Sequence, residues 1–174
     1  MLVKTIPVGF IEANCYIVSN EETLECVVID PGDESNTILD YLEDNKLKCQ
    51  AVLLTHGHYD HTGAALAVAG ETGVPIYINE KDCAPKGQYD PMRFSLPECG
   101  RYLSEGDVLE LAGMKFEIME TPGHTPGGVT IRCGEALFTG DTLFKGSCGR
   151  VDFAGGSMEQ ERCFNYYCRQ AMTM

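Results

Sequence analysis

The chain of 174 residues holds only four histidines, and three of them fall within six positions, in the run His56-Gly57-His58-Tyr59-Asp60-His61. Imidazoles crowded this closely would repel one another if protonated. Neutral, they present borderline-soft nitrogen donors of the kind that hold Zn2+ or Fe2+. The fourth, His124, stands in ETPGHTPGG, and two carboxylates occupy comparable settings, Asp30 in VVIDPG and Asp141 in ALFTGDTLF. Each donor follows an apolar segment and is flanked by glycine, which permits close backbone approach. An aspartate after a strand is by itself most often a turn former. Four donor-bearing loops around a histidine-rich centre are better explained as one metal site.

For these loops to meet, the segments before them must lie side by side. Segments 2–7, 14–19 and 26–30 are short, rich in β-branched residues and bounded by turn residues, so they read as strands opening an antiparallel sheet. Ser35 is placed to cap a helix in which Ile38, Leu39 and Leu42 recur at helical spacing up to Asp44. Segment 51–54 is a strand running into the histidine cluster, which therefore sits on a turn at a strand's carboxyl end, where open α/β sheets place their sites. Gly57 is expected to let the backbone bend there. The run GAALAVAG after Thr62 reads as a buried helix closed by Gly70 or Gly73, before a strand at 76–78. Residues 81–101, with three prolines and two glycines, read as a long loop of the kind that often carries function. Segments 108–111, 115–119, 129–133 and 136–138 add four strands. The expected fold class is α/β, or α+β, with two sheets flanked by helices in one domain.

Charge and composition narrow the chemistry. Lys plus Arg total 13 against 26 Asp plus Glu, a formal net charge of -13. That sign is opposite to what a phosphate backbone attracts, so nucleic acid is not an expected partner. Hydrophobic residues at 44% and charged residues at 22% fit a globular chain. No run approaches the roughly 18 apolar residues of a membrane span, and the opening MLVKTIPVGF lacks the basic end and apolar stretch of a signal peptide. No membrane partner is expected, and the expected location is cytoplasmic. The nine cysteines form no CxxC pair and read as reduced thiols, mostly small buried hydrophobes.

THGHYDH at 55–61, PGHTPGG at 122–128, FTGDTLF at 138–144 and GSCGRVDFAGG at 146–156 together resemble the metallo-β-lactamase superfamily, and within it the small glyoxalase II-like, or hydroxyacylglutathione hydrolase-like, enzymes. The resemblance runs colinearly from the first residue to about Gln160. It implies an αββα sandwich of two mixed sheets flanked by helices. It implies that His56, His58 and His124 hold one metal ion, that Asp60 and His61 belong to a second, and that Asp141 bridges them. Asp30 would then be a structural acid that supports the metal loops without being a ligand. Arg150 and Asp152 match an element beside the site; an ion pair that positions the loop and a plain surface pair are both open.

The implied activity is zinc-dependent hydrolysis of a small acyl thioester by a metal-bound hydroxide, with one or two Zn2+ ions. Divalent cations bring the pKa of water from about 15.7 towards about 7, and a thiolate leaves without a strong general acid. Asp60 is the candidate catalytic residue, orienting the water, with a purely structural ligand role as the alternative. Lys145 and Arg150 are candidates to contact an anionic group of the substrate. Tyr59 either reaches the substrate or packs.

The chain departs from the family pattern towards its end. The resemblance implies a last ligating histidine in a PGHGP-like segment beyond GRVDFAGG, yet no histidine follows His124. The run ERCFNYYCRQAMTM, from Glu161 onward, carries neither a family motif nor a helical apolar stripe. The codons of Asn165-Tyr166-Tyr167-Cys168, read two bases later, encode three leucines whatever their third bases are. Residues 1–160 are accordingly expected to form an incomplete, C-terminally truncated domain lacking its last strand and helix, and 161–174 an aberrant, frameshifted tail. A genuine divergent tail is the alternative. On this reading the first metal site is intact, the second is incomplete, and stability and activity suffer. Two other functions stay open: a mononuclear persulfide dioxygenase using Fe2+, and a non-catalytic metal-binding remnant.

Overall fold

The computed structural model describes residues 1–85, 90 and 92–161, and the remainder of the expected aberrant tail, 162–174, lies outside the described residues. Strands β1 (Leu2–Val8) and β2 (Ala13–Ser19) pair antiparallel from Leu2 opposite Ser19 to Val8 opposite Ala13. Strand β3 (Glu25–Ile29) joins β2 antiparallel, and from there the pairing turns parallel through β4 (Lys48–Leu53), β5 (Ile76–Asn79) and β6 (Arg101–Leu103). The spatial order follows the chain, β1-β2-β3-β4-β5-β6. Helix α1 (Ser35–Asp44) crosses between β3 and β4; a short α2 (Tyr59–Thr62) and α3 (Ala65–Thr72) cross between β4 and β5.

The central strands are apolar on both faces because both faces are covered. Cys26, Val28, Val52 and Leu54 pack under Ile38 and Leu42 of α1 and Ala65 and Val68 of α3. Val27, Ile29, Ala51 and Leu53, which alternate with them, pack against Phe116, Ile118 and Ile131 of the second sheet. That sheet runs β10-β9-β8-β7, from β7 (Val108–Leu111), β8 (Met114–Glu120), β9 (Val129–Cys133) and β10 (Ala136–Phe138). Its outer face is polar, with Glu117 and Arg132 paired at 3.2 Å. Each fully buried side chain such as Phe116 contributes roughly 1.5–3 kcal/mol through area removed from water.

The expected layers and ten of the eleven expected helix or strand segments need little revision, and the differences have local causes. The second sheet is antiparallel throughout rather than mixed. Ser35 is the first helical residue of α1 rather than its cap: Glu34 takes that position, in the left-handed region at φ 53°, with no side-chain capping bond. The helix expected after Thr62 is interrupted because Ala64 donates its N–H to Pro31 O at 2.9 Å, so the loop after β3 docks where a helical bond would form. Helix α3 then ends at Gly73, not Gly70. Strand β6 closes the long loop and was not expected; three residues carry too little alternation to register. Among the described residues no helix is long and apolar enough to cross a membrane.

Candidate metal centre

All the donor loops leave the same end of the two-sheet sandwich: Asp30 after β3, His56 to His61 after β4, His124 after β8 and Asp141 after β10. The Val129 N–H donates to Thr55 O at 2.8 Å, which ties the start of β9 to the loop after β4 across the sandwich. The four imidazoles are all buried. One ligand atom each from His56, His58 and His124 lies within 4.8 Å of the others, and the same holds for His56, His61 and Asp141. His124 Nε2 and His58 Nδ1 are 2.9 Å apart. Asp141 reaches to both sides, 3.2 Å from His61 Nε2 and 3.3 Å from His124 Nε2. Asp60 belongs to neither group and stands 3.5 Å from His61 Nε2.

The ring orientations follow from what each outer nitrogen meets. Asp30 Oδ1 accepts the Thr55 N–H at 2.7 Å, and Oδ2 accepts the Thr55 hydroxyl at 2.6 Å and His61 Nδ1–H at 2.9 Å. Because the hydroxyl proton is committed to Asp30, Thr55 Oγ1 is left to accept from His56 Nδ1–H at 3.1 Å. That puts the lone pair of His56 on Nε2, which is buried and has no hydrogen-bond partner. His124 Nδ1–H donates to the Arg150 carbonyl at 2.6 Å, which points its Nε2 lone pair inward as well. A buried nitrogen acceptor facing other ring nitrogens costs free energy unless something electrophilic sits among them. The donor set therefore fits a divalent cation.

Electrostatics agree. Burial, followed by the neighbouring rings of His61, His124 and His58, pushes the His56 pKa well below the ordinary value, so this ring is neutral at pH 7. Burial and His124 lower His58 too. At His61 burial also acts to lower the value, but hydrogen bonds and charge from Asp141 and Asp30 outweigh it and raise the pKa to about 10. Positive charge is thus favoured where His61 meets Asp141. A φ of 51° at Asp30, unusual for a residue with a side chain, is held by this network and by the bond from its N–H to Leu53 O at 3.0 Å.

A cavity of about 430 Å³ opens beside Asp60, His61 and Asp141, walled by Ile11, Asn14, Tyr16, Phe144 and Lys145. Lys145 reaches that wall, whereas Tyr59 is exposed on the neighbouring rim beside Phe10. Arg150 and Asp152 form a bidentate pair at 2.7 and 2.6 Å, exposed to solvent and stacked on Phe153. What Arg150 supplies to the centre is its backbone carbonyl rather than its charge. Gly57 is not at positive φ. It serves by lacking a side chain, since a Cβ there would run into the carbonyl of Asp82.

Thr55, Asp82 and Glu161 were not singled out from the sequence. Glu161, placed with the tail in the sequence reading, is buried and its Oε2 accepts the His124 N–H at 3.0 Å. A threonine next to the first histidine was visible in THGHYDH; nothing local marks the other two.

Comparison with known proteins gives the same picture. The chain is 38% identical over 173 residues to hydroxyacylglutathione hydrolase GloC of Haemophilus influenzae, covering 91% of this chain and 80% of that protein. Among solved structures, the BLEG-1 B3 metallo-beta-lactamase superposes with a TM-score of 0.81 at 32% identity, covering 92% of this chain and 81% of that one. TTHA1623 in a di-iron-bound form superposes with a TM-score of 0.78 at 31% identity, covering 95% and 85%. Residues 8–164, a span that takes in every donor loop described above, match the family described as Metallo-beta-lactamase superfamily, and the chain belongs to that superfamily.

Proposed function

We propose that this metallo-hydrolase cleaves a small acyl thioester of the hydroxyacylglutathione type. The observation that carries the reading is the bare, buried Nε2 of His56 amid converging donors, with an open cavity on the His61–Asp141 side. The similarity to a hydroxyacylglutathione hydrolase supports the substrate class. His56, His58 and His124 would hold one divalent ion, and His61, Asp60 and Asp141 would serve a second or shared position. Zn2+ and Fe2+ both suit this donor set, and the di-iron relative keeps iron in view. Such an ion supplies Lewis acidity, making hydroxide available near neutrality and polarising the carbonyl.

The chain's own residues do the rest. Asp30 and the Arg150 carbonyl keep imidazole lone pairs turned inward. Asp60, beside His61 and facing the cavity, accepts a hydrogen bond from the attacking water and orients it. Lys145 on the wall offers a cation to a carboxylate of the substrate. The thiolate departs into the cavity without a general acid.

The test is metal analysis of the purified chain together with thiol release from a hydroxyacylglutathione. Cleavage that a chelator abolishes and added Zn2+ or Fe2+ restores is expected. Metal-loaded protein that leaves thioesters intact while opening a β-lactam, or while consuming oxygen with a persulfide, would overturn the proposal.

A further inference from the structure

Asp82 ends the 3₁₀ turn Glu80–Asp82 that follows β5, on a segment carrying none of the histidines, and is 2% exposed. Its Oδ2 accepts the Gly57 N–H at 3.0 Å and the Thr125 hydroxyl at 2.7 Å, and its Oδ1 accepts the Gly127 N–H at 2.7 Å. Gly57 lies between His56 and His58, and Thr125 follows His124. One carboxylate thus gathers three donors from the two loops that present His56, His58 and His124.

We propose that Asp82 is a positioning residue that sets the spacing of these two loops, and through it the affinity of the centre for its metal ion. The inference rests on the metal-hydrolase reading above. The 2.9 Å separation of His58 Nδ1 and His124 Nε2 spans the same two loops, so a shift of either loop changes it directly. Both amide donors come from glycines for a steric reason. A Cβ on Gly127 would stand 2.7 Å from Asp82 Oδ1, and one on Gly57 would meet the Asp82 carbonyl. The chemistry required is acceptor-only, because all three partners donate. An ionised aspartate meets it, whereas asparagine would turn an NH2 group towards at least one donor.

The experiment is Co2+ titration of the metal-free full-length chain against a competing chelator, with the visible cobalt bands recorded alongside. Asp82→Asn is expected to weaken Co2+ about 10–100-fold, the range typical of groups that orient ligands, and to shift the bands. Its metal-free circular dichroism should match the parent. Thr125→Val, which removes one of the three hydrogen bonds and keeps the charge, is expected to weaken Co2+ less and in the same direction; it decides the matter if Asp82→Asn does not fold. Folded variants that bind Co2+ as tightly as the parent, with unchanged bands, would overturn the role of Asp82. A parent chain that takes up no Co2+ would instead overturn the metal reading and this inference with it.

Discussion

Asp30 and Asp152 accept hydrogen bonds of nearly equal length in very different surroundings. Asp30 binds Thr55 at 2.7 and 2.6 Å and His61 at 2.9 Å, and is 1% exposed. Asp152 binds Arg150 at 2.7 and 2.6 Å, with side chains 65% and 60% exposed. The Arg150 guanidinium holds the Asp152 carboxyl down to about 2, yet water and salt compete for both partners, so the pair adds little to stability. Burial shields Asp30 from most of that competition, and its partners are His61 and the threonine that orients His56. Short hydrogen bonds do not measure importance; burial and the identity of the partner do.

Substitutions at the two aspartates would break this contrast or sharpen it. The largest effect is expected from Asp30→Ala, which leaves two donors of Thr55 and one of His61 buried without an acceptor. At about 1–3 kcal/mol for each such group, a loss of about 3 kcal/mol or more should appear in chemical denaturation, and metal should be lost on dialysis. Asp30→Asn preserves the shape and is expected to weaken metal binding about 10–100-fold, measured by chelator competition. Thr55→Val removes the hydroxyl between Asp30 and His56, and a loss of about 1–3 kcal/mol in unfolding free energy is expected. Asp152→Ala should change neither melting temperature nor metal content measurably. In about 1 M salt, where the screening length is about 3 Å, its melting curve should superimpose on the parent's. Metal loss from Asp152→Ala matching that from Asp30→Ala would erase the distinction.

The donor-bearing loops were legible because each stands just after an apolar strand, as AVLLT before His56 and ALFTG before Asp141 show. The runs VVI in β3 and LL at 53–54 lack alternation, as burial on both faces requires, but from sequence these segments read only as strands. The failures are equally physical. Ser35 looked like a cap, but its neighbour Glu34 took the left-handed position. The interruption before Ala65 depends on a bond from Ala64 to Pro31 in a distant loop, and no propensity at Ala64 announces it.

The amino-acid order by itself determined which donors exist, which strand each follows, and hence that a metal centre lies at one end of two sheets. Side-chain type and periodicity are local quantities, and they suffice for that. Only the tertiary structure decided which nitrogen of each ring faces inward, because the deciding partners are the Thr55 hydroxyl, the Arg150 carbonyl and the Asp30 carboxylate. A backbone carbonyl is the same at every residue and leaves no mark in the sequence. The same holds for Asp82, whose partners Gly57 and Gly127 come within reach only once β4, β5 and the second sheet have packed.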